Sequence, residues 1–210
     1  MNKITSSSIF LGYLCLVFLF ATGLSVAEES PWKVRGRIIN VSPDDSSSEV
    51  AGFGAGSALG VDSATTLEVD FTYMLKRNLS LELILATTKH DIKGAGAISS
   101  AGKVGSTGVL PPTLTVQYHF SPGKKIRPYA GAGLNYTIFY SEKTEGALAG
   151  TELELDDSIG LAIQAGVDID ISKEWFANID IKSIQIDTTA NVNGAEAATI
   201  DINPIVFGVG

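Results

Sequence analysis

The chain has 210 residues, 45% of them hydrophobic and only 18% charged, enough apolar surface for one domain or one large barrel. Its formal net charge is −8 and its lysines and arginines form no basic patch, which excludes nucleic acid as a partner on electrostatic grounds. The single cysteine, Cys15, falls in an N-terminal leader, so thiol chemistry, disulfides and thiolate metal sites are excluded from the processed chain.

Residues 1–27 read as a cleaved signal peptide, leaving 28–210 as the mature domain. Lys3 supplies the positive start, Ile9 to Phe20 the apolar stretch, and Ser25-Val26-Ala27 the small residues at the cleavage point. An apolar stretch of about 12 residues falls short of the roughly 20 that a membrane helix requires. Beyond Ala27 no helical period of any length occurs and no apolar run is long enough to span as a helix.

What recurs instead is period-two alternation in segments of about ten residues. The first is Trp32 to Ser42, with Trp32, Val34, Gly36 and Ile38 on one face and Lys33, Arg35 and Arg37 on the other. The second, Thr65 to Leu75, sets Leu67, Val69, Phe71, Tyr73 and Leu75 against Thr66, Glu68, Asp70, Thr72 and Met74. A short turn at Lys76-Arg77-Asn78 leads to the third, where Leu79, Leu81, Leu83 and Leu85 oppose Ser80, Glu82, Ile84 and Ala86.

After a Gly/Ala/Ser loop comes the fourth, Leu110 to Phe120, and the turn SPGKK at 121–125. The fifth, Arg127 to Tyr140, alternates Ala130, Ala132, Leu134, Tyr136, Ile138 and Tyr140 with Gly131, Gly133, Asn135, Thr137 and Phe139. The sixth is Ser158 to Asp170 and the seventh Trp175 to Asp187. In the seventh the apolar row is odd-numbered through Ile181 and even-numbered at Ile184 and Ile186, which predicts a bulge near Ser183. The eighth, Ile200 to Gly210, contains Pro204 and has no clear facing.

Eight strands joined by alternately long and short connections predict an all-β, eight-stranded antiparallel up-and-down barrel. Short turns at one end and long Gly-rich loops at the other are the asymmetry of transmembrane β-barrels in the outer membrane of Gram-negative bacteria, with the short turns periplasmic and the long loops external. A soluble ligand-binding barrel would turn the apolar rows inward. Three features turn them outward to lipid. The polar rows are rich in Gly, Ala, Ser and Thr, as a narrow interior requires. The apolar rows of strands two to six carry no charge, and aromatics (Trp32, Tyr73, Tyr118, Phe120, Tyr140, Trp175) lie near strand ends, where interfacial girdles form.

The segments LEVDFTYML, LPPTLTVQYHF, RPYAGAGLNYTIFY, DDSIGLAIQAGVDIDI, IQIDTTA and IDINPIVFGVG resemble the OmpW family of outer-membrane proteins over nearly the whole mature chain. The resemblance implies an eight-stranded barrel with a narrow, largely apolar interior that passes small hydrophobic molecules across the outer membrane. The chain departs from that pattern at two places. It stops at Gly210 without the terminal aromatic, which predicts a short last strand or a fragment, and Lys182 sits on an inward row beside Asp180.

An eight-stranded barrel is barely wide enough for its own side chains. The inward charges Arg35, Arg37, Glu68, Asp70, Glu82, Asp168, Asp180 and Lys182 are therefore expected to pair across strands and plug the lumen. Met74, Ile84, Phe139 and Ile184 are the inward apolar candidates for lining a passage. His90 and His119 fall at opposite strand ends and share no metal, and no catalytic residues, metal or cofactor are expected. Asp44-Asp45 and Asp156-Asp157 read as solvated loop charge, with a divalent cation between lipopolysaccharide phosphates as the alternative. The partners expected are outer-membrane lipid and lipopolysaccharide, small hydrophobic solutes and the outer-membrane assembly machinery. A second reading is a closed barrel acting through its external loops as a structural, adhesive or receptor surface, with phage or bacteriocins as partners.

Overall fold

The computed structural model describes residues 30–210; the expected signal peptide lies outside the described residues. The strands, in chain order, are β1 (Trp32–Ser42), β2 (Ser46–Ser47), β3 (Ser57–Val61), β4 (Ala64–Lys76), β5 (Leu79–Ala86), β6 (Thr88–Gly96), β7 (Lys103–Leu110), β8 (Thr113–His119), β9 (Ile126–Thr144), β10 (Leu153–Leu155), β11 (Ser158–Asp170), β12 (Phe176–Ile184), β13 (Asp187–Val192), β14 (Ala195–Asp201) and β15 (Ile205–Val209). Eight of them, β1-β4-β5-β8-β9-β11-β12-β15, form an antiparallel ring that β15 closes onto β1. Alternation dictates what the ring buries. Val34, Leu67, Leu134 and Ile159 point outward and are exposed, whereas Arg35, Arg37, Asp70 and Glu82 are buried. The molecule is apolar outside and charged inside, as a lipid-facing barrel must be.

The long connections are not irregular loops. β9 runs for 19 residues, well past Tyr140, and its upper half carries β7, β6 and β3 in order. A second sheet, β10-β13-β14-β2, joins them to form an extension beyond the ring's outer end. Sequence periodicity missed β7 for a physical reason: Val104 to Val109 are all buried, so no in-out contrast remains to be read. The β13–β14 hairpin did carry a signal. Its two-residue turn is Asn193-Gly194, both at positive φ, the pairing that a type I′ turn requires.

The predicted bulge near Ser183 is absent. The β11–β12 register runs unbroken from Ala162↔Ile184 to Asp170↔Phe176, and β12–β15 is equally regular. Asn178, Asp180, Lys182, Ile184, Ile186 and Thr188 form one continuous buried row. What changes at Ser183 is chemistry. Outward Ile179 and Ile181 face lipid, and where the strand rises out of the membrane the apolar letters pass to the inward row. Pro204, ambiguous in sequence, is buried and inward.

Placing a cation on the outer surface tests this orientation. Ile163, 62% exposed near the middle of β11, is the position of choice. Ile163→Arg is expected to lower the urea midpoint of the barrel refolded in lipid vesicles, by about 2–4 kcal/mol if the site is near the midplane.

Candidate functional site

Followed from the short-turn end toward the extension, the inward rows of β1, β5 and β12 change character at about the same height. On β1 it reads Arg35, Arg37, then Ile39 and Val41; on β5, Ser80, Glu82, then Ile84 and Ala86; on β12, Asn178, Asp180, Lys182, then Ile184. The lumen is therefore two compartments, one ionic and one apolar.

The ionic compartment gathers all eight charges expected to face inward. The Arg35 guanidinium donates to Asp168 through Nε (3.2 Å) and Nη2 (2.9 Å), and to Glu82 (2.9 Å) and Thr72 (2.6 Å) through Nη1. Arg37 meets Glu68 at 2.8 Å and Asp70 at 2.7 Å, and donates to Asn178 Oδ1 and to the Tyr129 hydroxyl. Lys182 lies 2.8 Å from both Glu68 and Asp180, so the lysine that seemed out of place on an apolar path belongs to the ion cluster. The amides of Gln117 and Gln164 donate to the second oxygen of Glu82. At the short-turn end Arg127, paired with Asp170, comes within 3.9 Å of Asp168.

Tyr129 is the member that sequence reading missed. Its hydroxyl donates to Asp180 (2.7 Å) and accepts from Arg37 and Asn178. Space for it comes from Gly166, its register partner on β11, where a Cβ would sit 2.4 Å from the hydroxyl oxygen. The signal was the parity of Tyr129 with Gly131 and Gly133, which marks it as inward.

Above the ions lies a cavity with about 60 Å³ open to the centre of a water-sized sphere, walled by Ile39, Ile84, Phe139, Ile184, Ile186 and Val206 among others, with Glu68 at its floor. Three of the four apolar candidates, Ile84, Phe139 and Ile184, face this one cavity. Met74 does not: it stands opposite Ser80 near the β4–β5 turn, below the ions. Within the extension a second apolar chamber of about 100 Å³ is lined by Val50, Phe53, Leu59, Val104, Leu148 and Val192 among others. Ile92 and Ile200 line both chambers and form the partition between them. These outer residues went unseen because they are scattered among small residues in segments that read as loops.

The wall of the inner chamber is interrupted at three seams. Between β12–β13 and β14–β15 the gap is stitched by Ile184 N–H to Pro204 O and by Asn203 Oδ1 accepting from Ile186 N–H. Between β4 and β5–β6, Thr66 donates to the Thr87 carbonyl and the His90 ring bonds the Asp62 carbonyl. At the third, β5–β8 pairing ends at Ile84↔Thr113 and β6–β7 pairing begins at Thr88↔Val109. Pro111 and Pro112 fall between and have no N–H to give. Their carbonyls are held by Asn135 and Thr113 on their own side of the seam.

The histidines stay apart. His90, in the extension outside the membrane-spanning strands, bonds Thr88 and the Asp62 carbonyl, and burial pushes its imidazole below its usual pKa, which keeps it neutral beside an apolar chamber. His119 bonds Ser80 at the other end of the barrel. Asp45 caps the Val61 N–H, and Asp157 accepts from Tyr136 O–H and Phe139 N–H, so these loop carboxylates brace the extension.

A closed ring of eight antiparallel strands, greasy outside, ionic inside and tall at one end, defines an outer-membrane β-barrel of a Gram-negative bacterium. Residues 28–210 match the OmpW family profile, and the chain belongs to that family. Outer membrane protein W of Vibrio cholerae is 40% identical over 205 residues, spanning 93% of this chain and 94% of that protein. A Pseudomonas aeruginosa relative named dibenzothiophene metabolism operon protein PahQ is 30% identical over 93% of this chain and 95% of its own. The crystal structure of the outer membrane protein OprG from Pseudomonas aeruginosa superposes with a TM-score of 0.77 at 33% identity, covering 85% of this chain and 92% of that one.

Lys182→Leu removes one cation from the floor and leaves Glu68 and Asp180 short of a partner. The expected cost is about 3–5 kcal/mol, read as a lower urea midpoint. Lys182→Leu combined with Glu68→Leu is expected to recover part of it, since an apolar pair replaces an uncompensated charge.

Proposed function

We propose that this barrel admits small hydrophobic molecules from outside, holds them in the two apolar chambers and releases them sideways into the membrane through the Pro111–Pro112 seam. The observation that carries this reading is the abrupt change of the inward rows from apolar to ionic. An apolar solute that reaches Ile84 and Ile184 meets Glu68 and Lys182 next, and stripping water from those charges to push an apolar body between them is prohibitive. The axial route ends there, and the unstitched seam beside Ala86, Thr88 and Pro111 is the remaining way out of the same chamber. The name of the PahQ relative, which ties that protein to dibenzothiophene metabolism, supports solutes of apolar aromatic or alkyl character. This reading requires no catalytic step, and under it selectivity comes from the chambers' size and apolar walls.

The sealed floor also favours a second reading, in which the barrel conducts nothing and serves as a rigid mount for its external extension. One set of variants separates the two. Ile84→Trp fills the inner chamber, and Pro112→Val restores an N–H to the seam. Under the transport reading each lowers uptake of a short alkane or a small arene by roughly tenfold in a deletion strain complemented with the variant, an effect of the size that about 1.4 kcal/mol produces. Unchanged uptake in both, with the folded barrel present in the membrane, would leave the mount. Ile200→Ala, which thins the partition between the chambers, is expected to extend uptake to larger solutes under the first reading and to change nothing under the second.

A further inference from the structure

Three short turns close the barrel at its periplasmic end: residues 77–78 between β4 and β5, 120–125 between β8 and β9, and 171–175 between β11 and β12. Lys76, Arg77, Lys124, Lys125 and Lys173 stand on or beside them, all exposed, with Glu174 the one exposed acid of these turns. None of the five cations pairs with an acid among the described residues. The external end has the opposite character. Its lysines, Lys89, Lys93, Lys103 and Lys143, lie in a large excess of Asp and Glu. Lys93 and Lys103 are already engaged by Asp62, Asp91 and Glu145. Five free cations thus meet one exposed acid at this rim, whereas Lys89 and Lys143, the two lysines of the external end without an ion pair among the described residues, stand among many acids.

The level of that rim is marked by aromatics. Trp32 and Tyr73 meet edge to face at 4.9 Å, Tyr118 and Phe120 at 5.3 Å, and Trp175 projects from the third turn. Side chains of this kind settle at the boundary between hydrocarbon and headgroups, so the lysines and arginine just beyond them stand among the phosphates. We propose that this basic rim binds the anionic phospholipid headgroups of the periplasmic leaflet and enriches them around the barrel. The cations belong to three successive turns spread around the ring rather than to one concave face. That distribution suits a shell of lipids and gives no single docking surface for an acidic protein. Each basic residue near an anionic surface contributes roughly a fivefold preference, and five of them acting on several lipid positions predict a severalfold local excess of anionic lipid.

The chain carries its own reporter. Trp32 and Trp175 are its two tryptophans, and both lie at this rim. The mature protein is folded into phosphatidylcholine vesicles containing a fixed fraction of either brominated phosphatidylglycerol or brominated phosphatidylcholine, and tryptophan quenching is compared. The anionic quencher is expected to act as if its local concentration were severalfold above the bulk. High salt should erase that preference in the unmodified protein, and Arg77→Gln with Lys124→Gln, Lys125→Gln and Lys173→Gln should weaken it severalfold. Equal quenching by the two lipids at low salt overturns the proposal, as does a preference that salt and the substitutions leave intact.

Discussion

Arg35 and Arg37 fasten the barrel to itself across its lumen. On β1, Arg35 reaches Asp168 on β11 and Glu82 on β5, and Arg37 reaches Glu68 and Asp70 on β4, Asn178 on β12 and Tyr129 on β9. Of those strands only β4 is a ladder neighbour of β1; the rest are joined to it through the interior alone. Because the exterior is lipid, a slip of one residue in β1, β4, β5, β11 or β12 would carry a charge of this cluster outward and an apolar side chain inward. Register is thus specified by an electrostatic lock, where a soluble protein would rely on an apolar core. The lock is stable as a set and fragile in its members: each carboxylate has an arginine, a lysine, an amide or a hydroxyl near it, and removing one strands the others in a buried site.

The same cluster divides the lumen. Polar side chains below and apolar ones above are stacked on the same strands, so one β-period supplies both the seal and the chamber. The extension continues the apolar environment outward through Ile92 and Ile200, and the small residues of β7 permit its burial on both faces. A narrow barrel would otherwise be filled by its own side chains. Here the height added by β9 carries the apolar walls above the ionic cluster.

The barrel was legible in the sequence because the membrane enforces strict alternation, and lipid-facing rows such as Leu67 to Leu75 or Ile159 to Ile169 announce themselves. The ionic cluster was legible for the same reason, since charges on an inward row have nowhere to go except to each other. Tyr129 escaped notice because the eye reads an aromatic as lipid-facing unless its parity is counted. The chambers were only half legible. Ile84, Phe139 and Ile184 stood out as apolar letters in polar rows, but Met74, identical in pattern, lies on the wrong side of the ions. Pattern gives the facing of a residue and says nothing of its depth. The extension was hidden because a doubly buried strand of small residues has no period, and the apolar switch at Ser183 resembled a bulge because both change the parity of the hydrophobic row.

The seam at Pro111 and Pro112 has two lips. One is held to β9 by the Asn135 amide, and β9 runs without a break from the periplasmic turn into the extension. The other, Leu85 to Thr87, keeps ladder partners on β4 at Leu85↔Val69 and Ala86↔Glu68, and the Thr87 carbonyl accepts from Thr66. Both lips are therefore braced from behind, the proline lip by β9 and the β5 lip by β4, and any widening takes place between them. In hydrogen-exchange terms the fast amide expected on that lip is Thr87, just beyond the last β4–β5 pair, while the amides of β9 alongside keep their protons. Breathing of the wall is confined to the gap between Thr87 and the two prolines, and the rest of the ring keeps its shape.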